Sequence, residues 1–402
     1  MTVLLAGLSG SLAHASRLVA VARALQGRDR EVHLGGGPGF LDDPVLVASG
    51  EFARHPLAEP GLGEVLGQAR GADWFARALE EDRALIRRLG CRVVVFDNRR
   101  SAGVAARLEG VRSVSLTNAP LLGPHLGWSP SVESFLGLLA PVMGLDPARL
   151  QGSPALAGRA PSDAMPLQAG PLPARLRETL SRLGAPVPPA LHHLSLGDRT
   201  AVCDHPLLHP LTDPPEGVEP VGPLLPTLRA ERPGWWDEVD AERPCVLVSF
   251  GSTGPVDAQG VVVAALMALG VQVLVTGSEV VSPSQGLFGA RWLPGGEASA
   301  RADLVVCHGG SGTVYQALEA GTPVVCLPGH LEQALNGLAA ARQGVGVTVA
   351  ARAAVGSPTE LQALLGRCLD DTRLQARARA LSGRLEPGAT ASRVATMVEE
   401  LL

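Results

Sequence analysis

Short apolar runs, each closed by small residues and followed by apolar positions at helical spacing, recur along this chain. The first run is Thr2 to Ala6. A turn with Gly7, Ser9, Gly10 and Ser11 follows, and then Leu18, Val21, Ala22 and Leu25 recur every three or four residues. Brief runs bounded by turn residues predict strands, and the 3.6-residue recurrence predicts a helix. Further strands are expected at Glu31 to Leu34, Cys91 to Phe96 and Val111 to Leu116, with a helix over Ser101 to Leu108. The second half repeats the theme at Cys245 to Phe250, Gln272 to Val275, Asp303 to Val306 and Pro323 to Leu327. Strands alternating with helices build a parallel sheet covered on both faces, so the class is α/β.

Between the halves proline is dense: Pro206, Pro210, Pro214, Pro215, Pro220, Pro223, Pro226 and Pro233. Proline lacks an N–H and fixes φ, which predicts a stiff connection without regular structure. The expected division is a domain over residues 1–205, a connection over 206–240, a second domain over 241–385 and a terminal helix over 386–402. Val394, Met397 and Leu401 form the apolar stripe of that helix. The stretch from Ser129 to Pro189, rich in Pro and Leu, is expected to supply mobile helices and loops. A chain of 402 residues exceeds what one core supports, in keeping with two domains.

Composition narrows the function. The 46% apolar and 18% charged fractions indicate a folded globular protein, and a net charge of -5 argues against nucleic acid as a partner. The chain contains no lysine, which excludes Schiff-base chemistry and a P-loop lysine. Six cysteines, at 91, 203, 245, 307, 326 and 368, form no C-x-x-C pair, so buried reduced thiols of a cytoplasmic protein are expected. Ala13-His14-Ala15 loosely mimics an export cleavage site. No basic segment precedes it, and the run continues into the first helix pattern. No apolar run reaches the ~18 residues needed to span a membrane.

The segment richest in chemistry is Val305-Val306-Cys307-His308-Gly309-Gly310-Ser311-Gly312-Thr313, a strand running through glycines into a helix. Glycines admit a close ligand, and a helix N-terminus offers N–H groups and partial positive charge, which makes an anion site. A purely structural turn would look the same. The context goes further: Arg291-Trp292-Leu293-Pro294, His308-Gly309-Gly310, Glu332-Gln333 and Asn336 resemble, in order and spacing, the donor signature of the family 1 nucleotide-sugar-dependent glycosyltransferases. That resemblance implies the GT-B fold, two Rossmann-like domains facing each other across a cleft that closes on the donor. It implies that Trp292 stacks on the nucleobase beside Leu293, and that His308, Gly309, Gly310, Ser311, Gly312 and Thr313 hold the diphosphate. It implies that Glu332 and Gln333 bind the donor sugar, and that Ser249, Gly251 and Ser252 form a loop near phosphates and base. Gln316 stands where the family often has a glutamate for the ribose hydroxyls, which leaves UDP and dTDP both open. Glu319 is expected on the far side of that helix. The chain has no Asp-x-Asp motif, so no obligate metal and no cofactor are expected beyond the nucleotide-sugar co-substrate.

Sugar transfer needs a base for the acceptor hydroxyl. By position alone His14 could be a cap or an exposed side chain, and Asp97 a loop aspartate ahead of Arg99 and Arg100. The resemblance implies otherwise: a Gly-rich turn followed by a histidine and the apolar positions Leu18, Val21, Ala22 and Leu25 marks the catalytic base, with Ala13 where the family usually has glycine. Asp97, ending a strand, is its implied partner. Asn118-Ala119-Pro120 and Trp128-Ser129-Pro130 resemble the acceptor-lining segment of bacterial members. The resulting expectation is an inverting glycosyltransferase, monomer or homodimer, acting on a small apolar hydroxyl acceptor. Two alternatives keep the fold: a nucleotide-sugar 2-epimerase or lipid-linked N-acetylglucosaminyltransferase, and a non-catalytic nucleotide-sugar-binding protein.

Overall fold

The computed structural model describes residues 1–8, 12–42, 46–47, 52–58, 71–131, 134–142, 172–225, 230–251, 254–385 and 389–402. The chain resolves into two compact units. One comprises Met1–Gly127, Met165–Thr227 and Gly388–Leu402; the other comprises Trp128–Ala164 and Leu228–Pro387.

The first unit is built on a seven-stranded sheet of order β3-β2-β1-β4-β5-β6-β7. Its strands are β1 (Thr2–Gly7), β2 (Glu31–Gly36), β3 (Ala53–Pro56), β4 (Val93–Asp97), β5 (Arg112–Thr117), β6 (Arg199–Val202) and β7 (Val218–Pro220), all paired in parallel. The apolar runs of β1 and β4 exist because the central strands are buried on both faces. Val3, Leu5, Val93 and Val95 face one core, shared with helix α1 (Leu12–Gln26). Leu4, Ala6, Val94 and Phe96 face the other, shared with α2 (Gly71–Leu89), α3 (Arg100–Leu108) and α4 (Ala174–Arg182).

The second unit carries a seven-stranded sheet of order β10-β11-β9-β8-β12-β13-β14. These strands are β8 (Cys245–Ser249), β9 (Gln272–Thr276), β10 (Val281–Ser282), β11 (Leu287–Ala290), β12 (Leu304–Cys307), β13 (Val324–Cys326) and β14 (Gly346–Thr348), with only the β10–β11 pair antiparallel. Helices α5 (Val256–Ala268), α6 (Gly295–Arg301), α7 (Ser311–Glu319), α8 (Leu331–Arg342), α9 (Pro358–Asp370) and α10 (Thr372–Ser382) accompany it. The last helix, α11 (Thr390–Glu399), returns to the first unit, where Val394, Ala395, Met397 and Val398 join the core beside α1.

Two expectations need correction. The proline-dense stretch is not wholly irregular: β7 lies in it and pairs with β6, and Val221 N–H donates to Val202 C=O at 2.9 Å. β7 is the edge strand, where proline is tolerated because one side of the strand has no partner to bond. Consequently the first unit extends through residue 227, past the expected boundary at 205. Of the stretch from Ser129 to Pro189, residues 132–133 and 143–171 lie outside the described residues, while α4 accounts for part of the remainder.

Candidate functional site

In each sheet the strand order reverses once, between β1 and β4 and between β8 and β12. Open parallel sheets form their ligand crevice beyond the C-terminal strand ends at such a point. His14 and Asp97 meet at the first of these places, and Ser249, Gly251, His308 and Gly309 at the second, with Gln333 and Asn336 against Gly309.

In the first unit, β1 and β4 align Gly7 with Asp97, so the first turn of α1 rises beside the end of β4. His14 lies in that turn. Its Nδ1 is 2.9 Å from Asp97 Oδ1, with side-chain exposures of 16% and 1%. A carboxylate only accepts, so Nδ1 carries the proton and Nε2 presents a lone pair. Asn98 follows with φ 56°, a left-handed conformation that asparagine tolerates, and it turns the chain out of the strand immediately after Asp97. Asp97 is therefore neither a cap nor an ion-pair partner of its neighbours. Arg99 Nε instead donates to Asp82 Oδ1 at 2.9 Å, and Arg100 Nε to Ser195 Oγ at 3.0 Å.

Behind the dyad lie Arg17 and Asp204, which no sequence motif marks, and Asn118, whose segment resembles an acceptor lining. Arg17 Nη1 is 3.7 Å from Asp97 Oδ2, and its Nη2 donates to Asn118 Oδ1 at 2.7 Å. Asn118 Nδ2 donates to Asp204 Oδ2 at 3.0 Å, as does Ala119 N–H at 2.8 Å. All four of these side chains are buried. Arg17 was legible as the residue three after His14 on the same helix face; Asp204 follows a short strand and gave no local signal.

In the second unit, β8 and β12 align Ser249 with Cys307, which puts Gly251 against His308. A Cβ on Gly251 would meet the His308 ring at 2.9 Å, and Gly251 has φ 56°. His308 is buried, its Nδ1 3.5 Å from Ser249 C=O. Burial drives its pKa down to about 4, opposed by the Ser249 carbonyl and assisted by nearby His330, so the ring is neutral at neutral pH. Gly309 has φ 85°, and a Cβ there would lie 2.4 Å from Gln333 C=O. Asn336 Nδ2 holds the Gly309 carbonyl at 3.0 Å. Gly310 caps α7 and brings no side chain to its first turn, which holds Ser311, Gly312 and Thr313.

Trp292 is 45% exposed, so it is not a core residue, whereas Leu293 beside it is buried. The Gln316 carboxamide lies over Gly295, where a Cβ would meet its Oε1 at 2.4 Å. Glu319 is three residues on from Gln316, on the same partly exposed face of α7 and not on the far side. Partial burial raises its carboxyl pKa. Glu332 is half-buried in the first turn of α8, and buried Gln333 accepts from Gly329 N–H at 2.8 Å through Oε1. Ser249 Oγ accepts from Thr276 Oγ1 at 3.1 Å. Ser252 lies outside the described residues. All six cysteines are buried, with Cys307 and Cys326 Sγ atoms 3.8 Å apart beneath the His308 loop. Among the described residues no three His, Cys, Asp or Glu side chains are grouped to hold a metal ion, and no helix is long and apolar enough to cross a membrane.

Residues 295–391 match the profile of the glycosyltransferase family 28 C-terminal domain. A PGL/p-HBAD biosynthesis glycosyltransferase of Mycobacterium tuberculosis is 32% identical over 363 residues, covering 86% of this chain and 80% of that protein. Among solved structures, the spinosyn forosaminyltransferase SpnP superposes with a TM-score of 0.71 at 19% identity, covering 100% of this chain and 99% of that one. The glycosyltransferase VinC in complex with dTDP does so with a TM-score of 0.65 at 19% identity, covering 100% and 99%. The fold is GT-B, and the chain belongs to the glycosyltransferase family of its mycobacterial relative.

Proposed function

We propose that this enzyme transfers a sugar, with inversion, from a nucleotide-diphosphate donor to a hydroxyl of a small, largely apolar acceptor, with His14 as the base. The observation that carries this reading is the 2.9 Å bond from His14 Nδ1 to Asp97. It leaves Nε2 as a proton acceptor at the C-terminal edge of the sheet and supplies a carboxylate to stabilise the imidazolium that forms. The acceptor oxygen, losing its proton to Nε2, attacks the anomeric carbon as the bond to the diphosphate breaks.

In this reading the second unit holds the donor. Exposed Trp292 offers a stacking face for the base, a contact worth ~1–3 kcal/mol. The N–H groups at the start of α7, with His308, receive the diphosphate charge, so transfer proceeds without a divalent ion. Glu332 and Gln333 bind the sugar hydroxyls. Gln316, uncharged beside Gly295, accepts either a ribose or a deoxyribose edge. The dTDP bound to VinC supports a thymidine or uridine diphosphate donor. The names of the mycobacterial relative and of SpnP support a natural-product or lipid-like acceptor.

The test is transfer from UDP-glucose and dTDP-glucose to a panel of macrolide and phenolic aglycones in EDTA, with nucleotide binding measured in parallel. His14→Ala is expected to lower transfer by ~10³-fold or more while binding UDP or dTDP as the wild type does. Undiminished transfer by His14→Ala removes His14 as the base. Binding of neither nucleotide by the wild type removes the reading as a whole.

A further inference from the structure

Three adjacent strands of the first sheet end in buried polar side chains: Asp97 ends β4, Asn118 follows β5 and Asp204 lies two residues beyond β6. Arg17, one turn along α1 from His14, reaches down onto them. The contacts run in one line: His14 to Asp97 at 2.9 Å, Asp97 to Arg17 at 3.7 Å, Arg17 to Asn118 at 2.7 Å and Asn118 to Asp204 at 3.0 Å. Asn118 can only lie one way in this line, its carbonyl toward the guanidinium and its amide toward the carboxylate. Cys203, beside Asp204, feels Arg17, Asp97 and Asp204, but burial pushes its thiol up to about 12 and it stays neutral. His205, next in the chain, turns its Nδ1 to accept from Leu207 N–H at 3.2 Å.

The charges in this line do not cancel. Two buried carboxylates face one guanidinium, and a buried net charge is costly. One further cation balances the set, and His14 is the group at the open end that can become one. We propose that Arg17 and Asp204 are positioning residues which, through Asn118, hold Asp97 aligned and set the pH at which His14 accepts a proton. The inference rests on the reading of His14 as the base. Arg17 weakens the pull of Asp97 for that proton and Asp204 strengthens it, so the two side chains act on His14 with opposite sign. A helix carrying only the base and an apolar residue at position 17 would leave the dyad with an unopposed carboxylate field and a more basic imidazole.

The experiment is a titration of the His14 imidazole by carbon-13 NMR in the full chain, with the resonance assigned by its loss in His14→Ala. Arg17→Met removes the cation, so His14 holds its proton to higher pH and its midpoint rises by ~1 pH unit. Asp204→Asn removes an anion at constant shape, and the midpoint falls. Arg17→Lys keeps the cation and leaves the midpoint near that of the wild type. Shifts in the same direction for Arg17→Met and Asp204→Asn, or no shift in either, overturn the proposal. Should Arg17→Met fail to fold, as judged by its melting curve, an unmoved midpoint in Asp204→Asn alone overturns it. The titration needs no sugar donor or acceptor. Failure of the base assignment therefore shows separately, as the expected midpoints in a protein whose transfer survives His14→Ala.

Discussion

His14 and His308 both stand at strand ends where the order of their sheet reverses, His14 on the helix after β1 and His308 directly after β12. Each directs Nδ1 at an oxygen within its own unit. The oxygens differ. His14 meets the carboxylate of Asp97 and is partly exposed, whereas His308 meets only the backbone carbonyl of Ser249 and is buried among glycines. The Ser249 carbonyl favours the protonated ring, but burial outweighs it and the His308 pKa falls to about 4. A histidine thus stands at a sheet edge of each unit, bonded to a carboxylate in one and buried against a backbone carbonyl in the other. The difference comes from whether Nδ1 meets a side-chain carboxylate or a backbone carbonyl, and from how deeply the ring is buried.

Asp97→Asn breaks the first half of this comparison most severely. The asparagine amide can donate to Nδ1 and select the wrong tautomer, so transfer is expected to fall by ~10³–10⁴-fold with nucleotide affinity unchanged. Steady-state rates and calorimetry on the same preparation decide it, and a loss under tenfold would remove Asp97 from its role.

The second half breaks at Gly309. Its φ of 85° and the 2.4 Å approach of a Cβ to Gln333 C=O leave no room for alanine. Gly309→Ala is expected to cost about 2–4 kcal/mol and to abolish nucleotide binding. An unfolding midpoint equal to that of the wild type contradicts the crowding.

The smallest effect sharpens the comparison through pH. Above the ordinary histidine value of 6.5, His308 is neutral whether the chain is folded or not. Between 6.5 and about 4 the unfolded chain takes up a proton that the folded one refuses, so stability falls as pH drops through this window and levels off below it. The loss reaches at most about 3 kcal/mol. Urea midpoints at pH 7 and pH 4.5 measure it, and His308→Gln should show a shallower drop than the wild type. Equal drops in the two proteins would mean that His308 is not held neutral by the fold.

Much of this was legible in the sequence where burial acts on both faces of a strand. Val93-Val94-Val95-Phe96 and Leu304-Val305-Val306-Cys307 read as strands because alternate residues feed opposite cores. Short strands toward the sheet edge lacked that signal. β7, only Val218–Pro220, was hidden in a proline-dense stretch, and β6 opens with Arg199 and Thr200. The site divides in the same way. His14, Asp97, Trp292 and His308 stand next to turns whose spacing and resemblance marked them. Asn118 and Asp204 lie beside Asp97 because three strand ends are brought side by side, an arrangement that no local window of sequence contains. Glu319 shares the face of Gln316 because three residues nearly complete a helical turn.

The return of α11 has a practical consequence. Its apolar face fills the same core as β1 and α1, Glu399 receives both Arg28 and Arg30, and Thr390 Oγ1 donates to Val221 C=O at 3.2 Å. A stop codon before Thr390 would therefore injure the unit that bears His14, some 380 residues upstream, and spare the unit it appears to shorten. No single cut yields the first unit whole. An isolated version must join residues 389–402 to the two segments Met1–Gly127 and Met165–Thr227, and the second unit likewise draws on two stretches, Trp128–Ala164 and Leu228–Pro387.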